Sequence, residues 1–261
     1  MKCCICGTIR DCGKYLDNIF SIMEKIGTLF EDYAIILYYD KSTDNTINKL
    51  ISYSKKNTKL TYIVNTEEML KYRTHRISKG RNTCLKIMNE KYPDYNYFIM
   101  MDCDDRCNYN INLELLKNYL LRDDWDSLSF NHPAGYYDTW ALSIRPYVLS
   151  YQHFDNIYLS QKFITEKIKQ TPKHKLIRCL SAFNGFAIYR RQKFENCWYD
   201  GRFRLDYLPQ QLINQNIAVA GKIIMKNESF KNEDCEHRFF HISAVKNHNA
   251  RIMISPLCLF S

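Results

Sequence analysis

The stretch Tyr97-Phe98-Ile99-Met100-Met101-Asp102-Cys103-Asp104-Asp105 decides the reading of this chain. Five apolar residues in a row are too few for a helix and suit a strand buried on both faces, as in a parallel sheet. The strand delivers carboxylates at its carboxyl end, where open α/β sheets bind their ligands. Hard oxygen donors crowded there select Mg²⁺ or Mn²⁺, ions that share their coordination with phosphates. The alternative reading is of helix-capping or solvated turn residues.

Working outward, Lys2 to Thr8 reads as a short buried strand. Asp11 to Ile26 reads as a helix with Tyr15, Ile19, Ile22, Met23 and Ile26 on one face and Gly27 as its cap. A second strand, Tyr33 to Tyr39, runs into Asp40-Lys41-Ser42-Thr43-Asp44, where Ser42, Thr43 or Asp44 can cap a helix containing Ile47, Leu50 and Ile51. Leu60 to Val64 is a third strand. Residues Asn65 to Lys79 read as loop with some helix, and Gly80-Arg81-Asn82 opens a helix that stops before Pro93. This strand-helix alternation predicts an α/β fold with a mainly parallel central sheet flanked by helices. Thr8, Arg10, Asp40, Asp102 and Asp104 then fall together at strand ends.

The second half is less regular. Helices are expected at Leu113 to Leu121 and Asn156 to Gln170. Strands are expected at Trp125 to Asn131, after a turn at Ser181 to Gly185, and at Ile217 to Met225. The run Asn232 to His241 reads either as an acidic turn followed by a strand, or as a segment folding back over the mouth of the fourth strand. Gly135 to Trp140, with Tyr136, reads as a ligand-facing loop rather than core, while Trp125 suits acceptor surface or core equally.

Composition bounds the function. With 261 residues, 46% apolar and 25% charged, the chain suits one globular domain over 1–261. The net charge of +9 is spread along the sequence without a nucleic-acid motif, so no nucleic-acid partner is expected. The 11 cysteines are scattered, lack paired Cys-X-X-Cys spacing and follow no signal peptide; buried free thiols are expected, in a cytoplasmic, reducing compartment. No apolar run is long enough for a transmembrane helix. No phosphate-binding Gly-X-X-X-X-Gly-Lys loop and no Gly-X-Gly-X-X-Gly is present, which weakens the readings of a P-loop ATPase and a dinucleotide oxidoreductase.

Taken in order, Thr8-Ile9-Arg10, Tyr39-Asp40-Lys41-Ser42-Thr43-Asp44, Gly80-Arg81-Asn82 and Asp102-Cys103-Asp104 resemble the nucleotide-sugar-dependent glycosyltransferases of the GT-A fold, family-2-like and with an Asp-X-Asp motif. The resemblance implies a Rossmann-like nucleotide-binding half, 1–106, and a smaller mixed acceptor-binding half, 107–261. It implies donor-nucleotide contacts from Thr8, Arg10, Asp40, Arg81, Asn82 and Asp102, with Mn²⁺ or Mg²⁺ on Asp102 and Asp104. Tyr39 and Lys41 depart from the usual pattern after the second strand, which leaves the donor a UDP- or a GDP-sugar.

The late acids and histidines resemble the family's base and metal elements more loosely. Glu233, Asp234 and Glu236 are the candidate bases, Glu236 and Asp234 foremost, and His237 and His241 the candidate further metal ligands, His241 foremost. Asn184 and Gly185 would lie by the donor sugar, or form a simple turn. Tyr137, Asp138 and Trp140 offer rings and an acid for a glycan or other hydroxyl acceptor. The expected activity is metal-dependent transfer of a sugar to a hydroxyl. A nucleotidyltransferase acting on a sugar phosphate and a non-catalytic sugar-nucleotide-binding protein are the alternatives.

Overall fold

The structure is a computed structural model, and it describes residues 1–149, 153, 158–223 and 231–261. Eight strands form one sheet in the order β3-β2-β1-β4-β7-β5-β8-β6. Strands β1 (Lys2–Ile9), β2 (Asp32–Tyr39), β3 (Leu60–Val64) and β4 (Tyr97–Met101) pair in parallel. Beyond β4, β7 (Phe186–Arg190) is antiparallel to both β4 and β5 (Ser127–Asn131). Strand β8 (Ile252–Cys258) runs parallel to β5, and β6 (Ile177–Cys179) antiparallel to β8. The sheet is therefore parallel on one side and mixed on the other, an α/β arrangement flanked by helices.

Strand alternation builds two cores. On one face Cys4, Cys6, Ile36, Tyr38, Phe98 and Met100 pack with Cys84, Leu85 and Met88 of helix α3 (Arg73–Lys91). On the other face Cys3, Ile5, Ile35, Leu37, Ile99 and Met101 pack with Ile19 and Met23 of α1 (Leu16–Gly27). Because successive side chains leave a strand on opposite sides, strands covered on both faces need apolar residues at every position, which is why these read as unbroken runs. The 11 cysteines are free thiols, ten of them buried. Among the described residues no helix is long and apolar enough to cross a membrane.

Several boundaries differ from expectation. Helix α1 starts at Leu16 rather than Asp11, and Gly27 is its last residue, with Thr28 as the cap. Helix α2 (Thr46–Ser54) has Asn45 at its cap position. Helix α3 starts seven residues before Gly80. A carboxylate far away in sequence explains this: the Thr74 backbone N–H donates to Glu233 Oε2 at 2.9 Å, satisfying a first-turn donor that no neighbouring residue caps. Gly80 is then mid-helix, at a close approach; a Cβ there would meet Thr8 Cγ2 and Tyr38 Cδ1 at 2.7 Å.

Further α-helices among the described residues are α4 (Leu113–Leu120), α5 (Tyr158–Gln170), α6 (Gln210–Ala220) and α7 (Glu236–His248). Residues 156–157 of the expected helix lie outside the described residues. The strand expected at 217–225 is corrected: Ile217 to Ala220 end α6, and 224–225 lie outside the described residues. Its β-branched residues mimic a strand, yet Ile213, Asn216 and Ala220 recur at helical spacing on the buried face. The C-terminal run becomes helix, not strand, from Glu236. Strands β6 and β8 had no sequence expectation.

Candidate active site

Strands β1, β2 and β4 end on one edge of the sheet, and a cleft of about 350 Å³ opens there. Thr8, Arg10, Asp40, Arg81, Asp102 and Asp104 all line it. Parallel register makes this convergence, since residues distant in sequence reach the same edge when their strands run the same way. Tyr38, Arg73, Arg76 and Ile77 line it as well, and no expectation covered them. Their signal was present: Arg73, Ile77 and Arg81 recur every four residues, one face of a helix extending into what reads as loop.

Asp102 leaves β4 with its backbone N–H donating to the Gly185 carbonyl at 2.8 Å. Its carboxyl is pushed up to about 8, first by burial, then by repulsion from Asp104, with Arg81 opposing. Burial also raises Asp104; the Arg106 N–H that donates to its Oδ1 at 3.0 Å opposes this, and Asp105 adds to it. Two acids held against their own repulsion at a cleft wall fit a divalent cation that would neutralise both. Among the described residues no group of three His, Cys, Asp or Glu forms a complete metal site, so such an ion would need further oxygens from a ligand.

Arg81 links this mouth to the second half of the chain. Its side chain is only 4% exposed, with Nη2 3.0 Å from Asp102 Oδ1 and Nη1 2.7 Å from Glu236 Oε1. The guanidinium lies 4.6 Å from the Phe183 ring centroid and 5.7 Å from that of Tyr199. Burial disfavours its charge, but the two carboxylates more than offset this and its pKa is raised. Glu236, at the start of α7, sits behind Arg81 rather than on the cleft wall.

Asp138 belongs to the same charge cluster. Burial raises its carboxyl, the Ala141 N–H opposing, and the charge of Glu236 adds to the rise. Asn184 holds that loop in place: its Oδ1 accepts from the N–H groups of Tyr137 and Asp138 at 3.0 and 3.1 Å, and its Nδ2 donates to the Phe130 carbonyl at 2.8 Å. Gly185 adopts a φ of 85°, and a Cβ on it would meet the Tyr137 hydroxyl at 2.4 Å. That hydroxyl is buried without a hydrogen-bond partner among the described residues, while the Arg106 guanidinium stacks 4.4 Å from its ring. Trp140 packs against the core, and its indole N–H also lacks a partner.

Several expected residues lie elsewhere. His241 is fully buried, with Nδ1 3.0 Å from the Ser181 hydroxyl and Nε2 3.1 Å from that of Tyr189. Both nitrogens are engaged in the core, so neither is free for a metal; burial, then Arg81, lowers its pKa to about 3. Asp234 is buried against Arg238, with Arg238 Nε donating to its Oδ2 at 3.0 Å, and is no free base. Asn82 exchanges two 2.8 Å hydrogen bonds with the backbone of Tyr199 and does not reach the cleft. Trp125 is core, and the expectation of Tyr136 on a ligand-facing surface is corrected: its ring is buried in the core.

The family model described as Glycosyl transferase family 2 matches residues 12–198, well over half of the chain. The chain belongs to glycosyl transferase family 2. The matched stretch contains Asp40, Arg81, Asp102, Asp104 and Asp138, and ends before α7. Among solved structures, S. aureus TarS 1-349 is similar with a TM-score of 0.51 at 14% identity, over 100% of this chain and 60% of that one. TarS 1-349 in complex with UDP-GlcNAc is similar with a TM-score of 0.50 at 16% identity, over 100% and 58%. The family-2 chain thus spans about three-fifths of that length, and at such identities the likeness is one of fold. No curated protein sequence matches it.

Proposed function

We propose that this family-2 chain transfers a sugar from a nucleotide-diphosphate sugar to a hydroxyl acceptor. The observation that carries the reading is Asp102 and Asp104 facing the same cleft as Thr8, Arg10 and Asp40. Residues 1–106 bind the donor and 107–261 the acceptor. The TarS structure with UDP-GlcNAc supports a nucleotide sugar as donor.

Asp102 and Asp104 would hold Mn²⁺ or Mg²⁺ together with the donor diphosphate. Such an ion supplies positive charge against the phosphate charge that develops as the sugar leaves. Arg81 fixes Asp102 by hydrogen bond and, through its pair with Glu236, ties donor side to acceptor side. Arg73 and Arg76 add positive charge at the same wall. On the acceptor side, the Tyr137 hydroxyl and Asp138 would orient the incoming hydroxyl; Glu236 would take its proton only once its pair with Arg81 opens, because it sits behind Arg81 and off the cleft wall.

A second assignment of the base has an observation of its own. Asp138 carries a raised pKa, which makes a carboxylate a better proton acceptor near neutral pH than an ordinary aspartate. Glu236→Gln and Asp138→Asn separate the two, because the true base loses kcat with donor affinity kept.

The reading is tested by incubating the purified protein with nucleotide sugars, with Mn²⁺ or with chelator. Donor turnover is expected only with the ion, and Asp104→Asn is expected to abolish it. Full turnover by Asp104→Asn in chelator overturns the metal assignment. Pyrophosphate release from a nucleoside triphosphate and a sugar phosphate would instead identify a nucleotidyltransferase.

A further inference from the structure

We infer that the β6 edge of the sheet docks the protein on an anionic lipid bilayer, through lysines that no acid neutralises and a bare leucine beside them. From Lys167 to Arg178 the chain carries Lys167, Lys169, Lys173, Lys175 and Arg178 and no acid. All five cations are exposed, and among the described residues none pairs with a carboxylate. By contrast Lys2, Lys49, Lys59 and Lys79 each hold an acid within 2.6 Å.

The fold gathers these charges at one place. Lys167 and Lys169 lie in the last turn of α5, whose Ile164 enters the core that β6 also faces with Ile177 and Cys179. The Thr171 N–H then donates to the Lys167 carbonyl at 3.0 Å, and the Lys175 N–H to the Pro172 carbonyl at 2.9 Å. These bonds close the helix end and the turn after it, so Lys173 and Lys175 stay beside the last turn of α5. Strand β6 is the outermost of the sheet. Because Ile177 and Cys179 point to the α5 side, alternation sends Arg178 to the opposite face, the one that α4 covers. The charges therefore wrap the edge.

Leu121 stands at the same edge. It follows α4 and is 77% exposed, more than any other large apolar side chain among the described residues. Its neighbour Arg122 donates from Nη1 to the His174 carbonyl at 3.0 Å, between Lys173 and Lys175. Arg122 also donates from Nε to Asp124 at 2.9 Å, which offsets that nearby acid.

The chemistry of these groups selects the partner. Lysine is a compact charge on a flexible stem and suits a diffuse anionic surface, whereas discrete phosphates and nucleic acids are held by arginine forks and stacked rings. Four of the five cations are lysines. An aliphatic side chain among them gains from the boundary between headgroups and acyl chains, which a soluble polyanion does not offer. Cations on an edge strand also deter pairing with another chain, but only Arg178 lies on β6; the lysines precede it.

The experiment is co-sedimentation of the whole chain with vesicles of phosphatidylcholine alone, and of phosphatidylcholine with about one-third phosphatidylserine. Binding is expected only to the second kind and should fall steeply as salt is raised. Lys173→Glu with Lys175→Glu should weaken it at least about tenfold. Leu121→Ser should weaken it at least about threefold at every salt concentration. Lys55→Glu with Lys56→Glu, on exposed residues after α2, makes the same change in net charge and should weaken it by less than about threefold. Unchanged urea midpoints would show that the variants are folded. No binding to phosphatidylserine vesicles overturns the inference. So does an equal loss in the two double variants, which would make the net charge of +9 the cause. Wild-type binding by Leu121→Ser overturns it as well, since lysines alone would serve a soluble polyanion. Nucleotide-sugar turnover has no part in these measurements, so the inference and the proposed activity fail separately.

Discussion

Arg81 and Arg238 are both buried and both paired with carboxylates, yet they do different things. Arg238 is saturated: besides Asp234, its guanidinium donates to the carbonyls of Leu142 and Val148 at 2.9 Å, to the Ser143 hydroxyl and to the Trp140 carbonyl. Every neighbour is an ordinary backbone or side-chain acceptor, and the effect is to hold residues 140–148 against α7. Arg81 has two acids and two rings around it, and among the described residues its Nε and Nη1 have no hydrogen-bond partner. One of its acids faces the cleft. A buried charge with all its valences filled is architecture, whereas one with a valence open beside a cleft is held ready for a ligand.

Substitution should separate the two. Arg238→Met strands Asp234 in the core and is expected to destabilise the fold by about 3–5 kcal/mol in urea unfolding. Arg81→Met leaves Asp102 with water for a partner but strands the buried Glu236, so its stability loss should be similar, while donor turnover alone separates the two, falling by roughly 10²–10³-fold. Unchanged turnover in Arg81→Met would erase the distinction.

A second, smaller effect comes from the saturated region through pH. His241 has a pKa of about 3 when folded, against an ordinary value of 6.5, and His237 is also held well below 6.5 by burial. Both are neutral in the folded chain, so the unfolded chain binds protons first as pH falls. Their stabilisation is complete above pH 6.5 and falls as pH drops below it; for His241 the loss runs down to about pH 3, at about 1.4 kcal/mol per unit. Urea unfolding of wild type and His241→Phe at pH 7.5, 6 and 5 should show the variant's slope shallower by about one proton. Identical slopes would mean that His241 titrates normally.

The smallest effects test two positions beside the boundary. Gly80→Ala forces a Cβ against Thr8 and Tyr38 and should destabilise by about 1–3 kcal/mol, with weaker donor binding because both neighbours line the cleft. Asn82→Ala removes the exchange with Tyr199 and should cost about 1–2 kcal/mol with donor affinity unchanged. Weakened donor affinity in Asn82→Ala would restore it to the site.

The parallel half was legible because its information is local. Runs such as Tyr33 to Tyr39 and Tyr97 to Met101 are apolar at every position, and polar residues follow directly where the strands end. Parallel pairing then places Thr8, Asp40 and Asp102 on one edge without any further specification. The resemblance to the family rested on the same segments. Arg73 and Arg76 were hidden because their helix turn is capped by Glu233, a residue 159 positions away from Thr74.

What the sequence by itself determined was a sheet whose strand ends carry the acids, since burial on both faces and chain direction follow from residue pattern alone. Only the tertiary structure decided which late polar residues belong to that edge. Asp234, Glu236 and His241 occupy one short stretch, but the entry into α7 and the turns of that helix send them in different directions: Asp234 to Arg238, Glu236 to Arg81 and His241 into the core. The physical reason is that a polar side chain's role is set by the partner it meets when buried, and those partners come from elements remote in sequence.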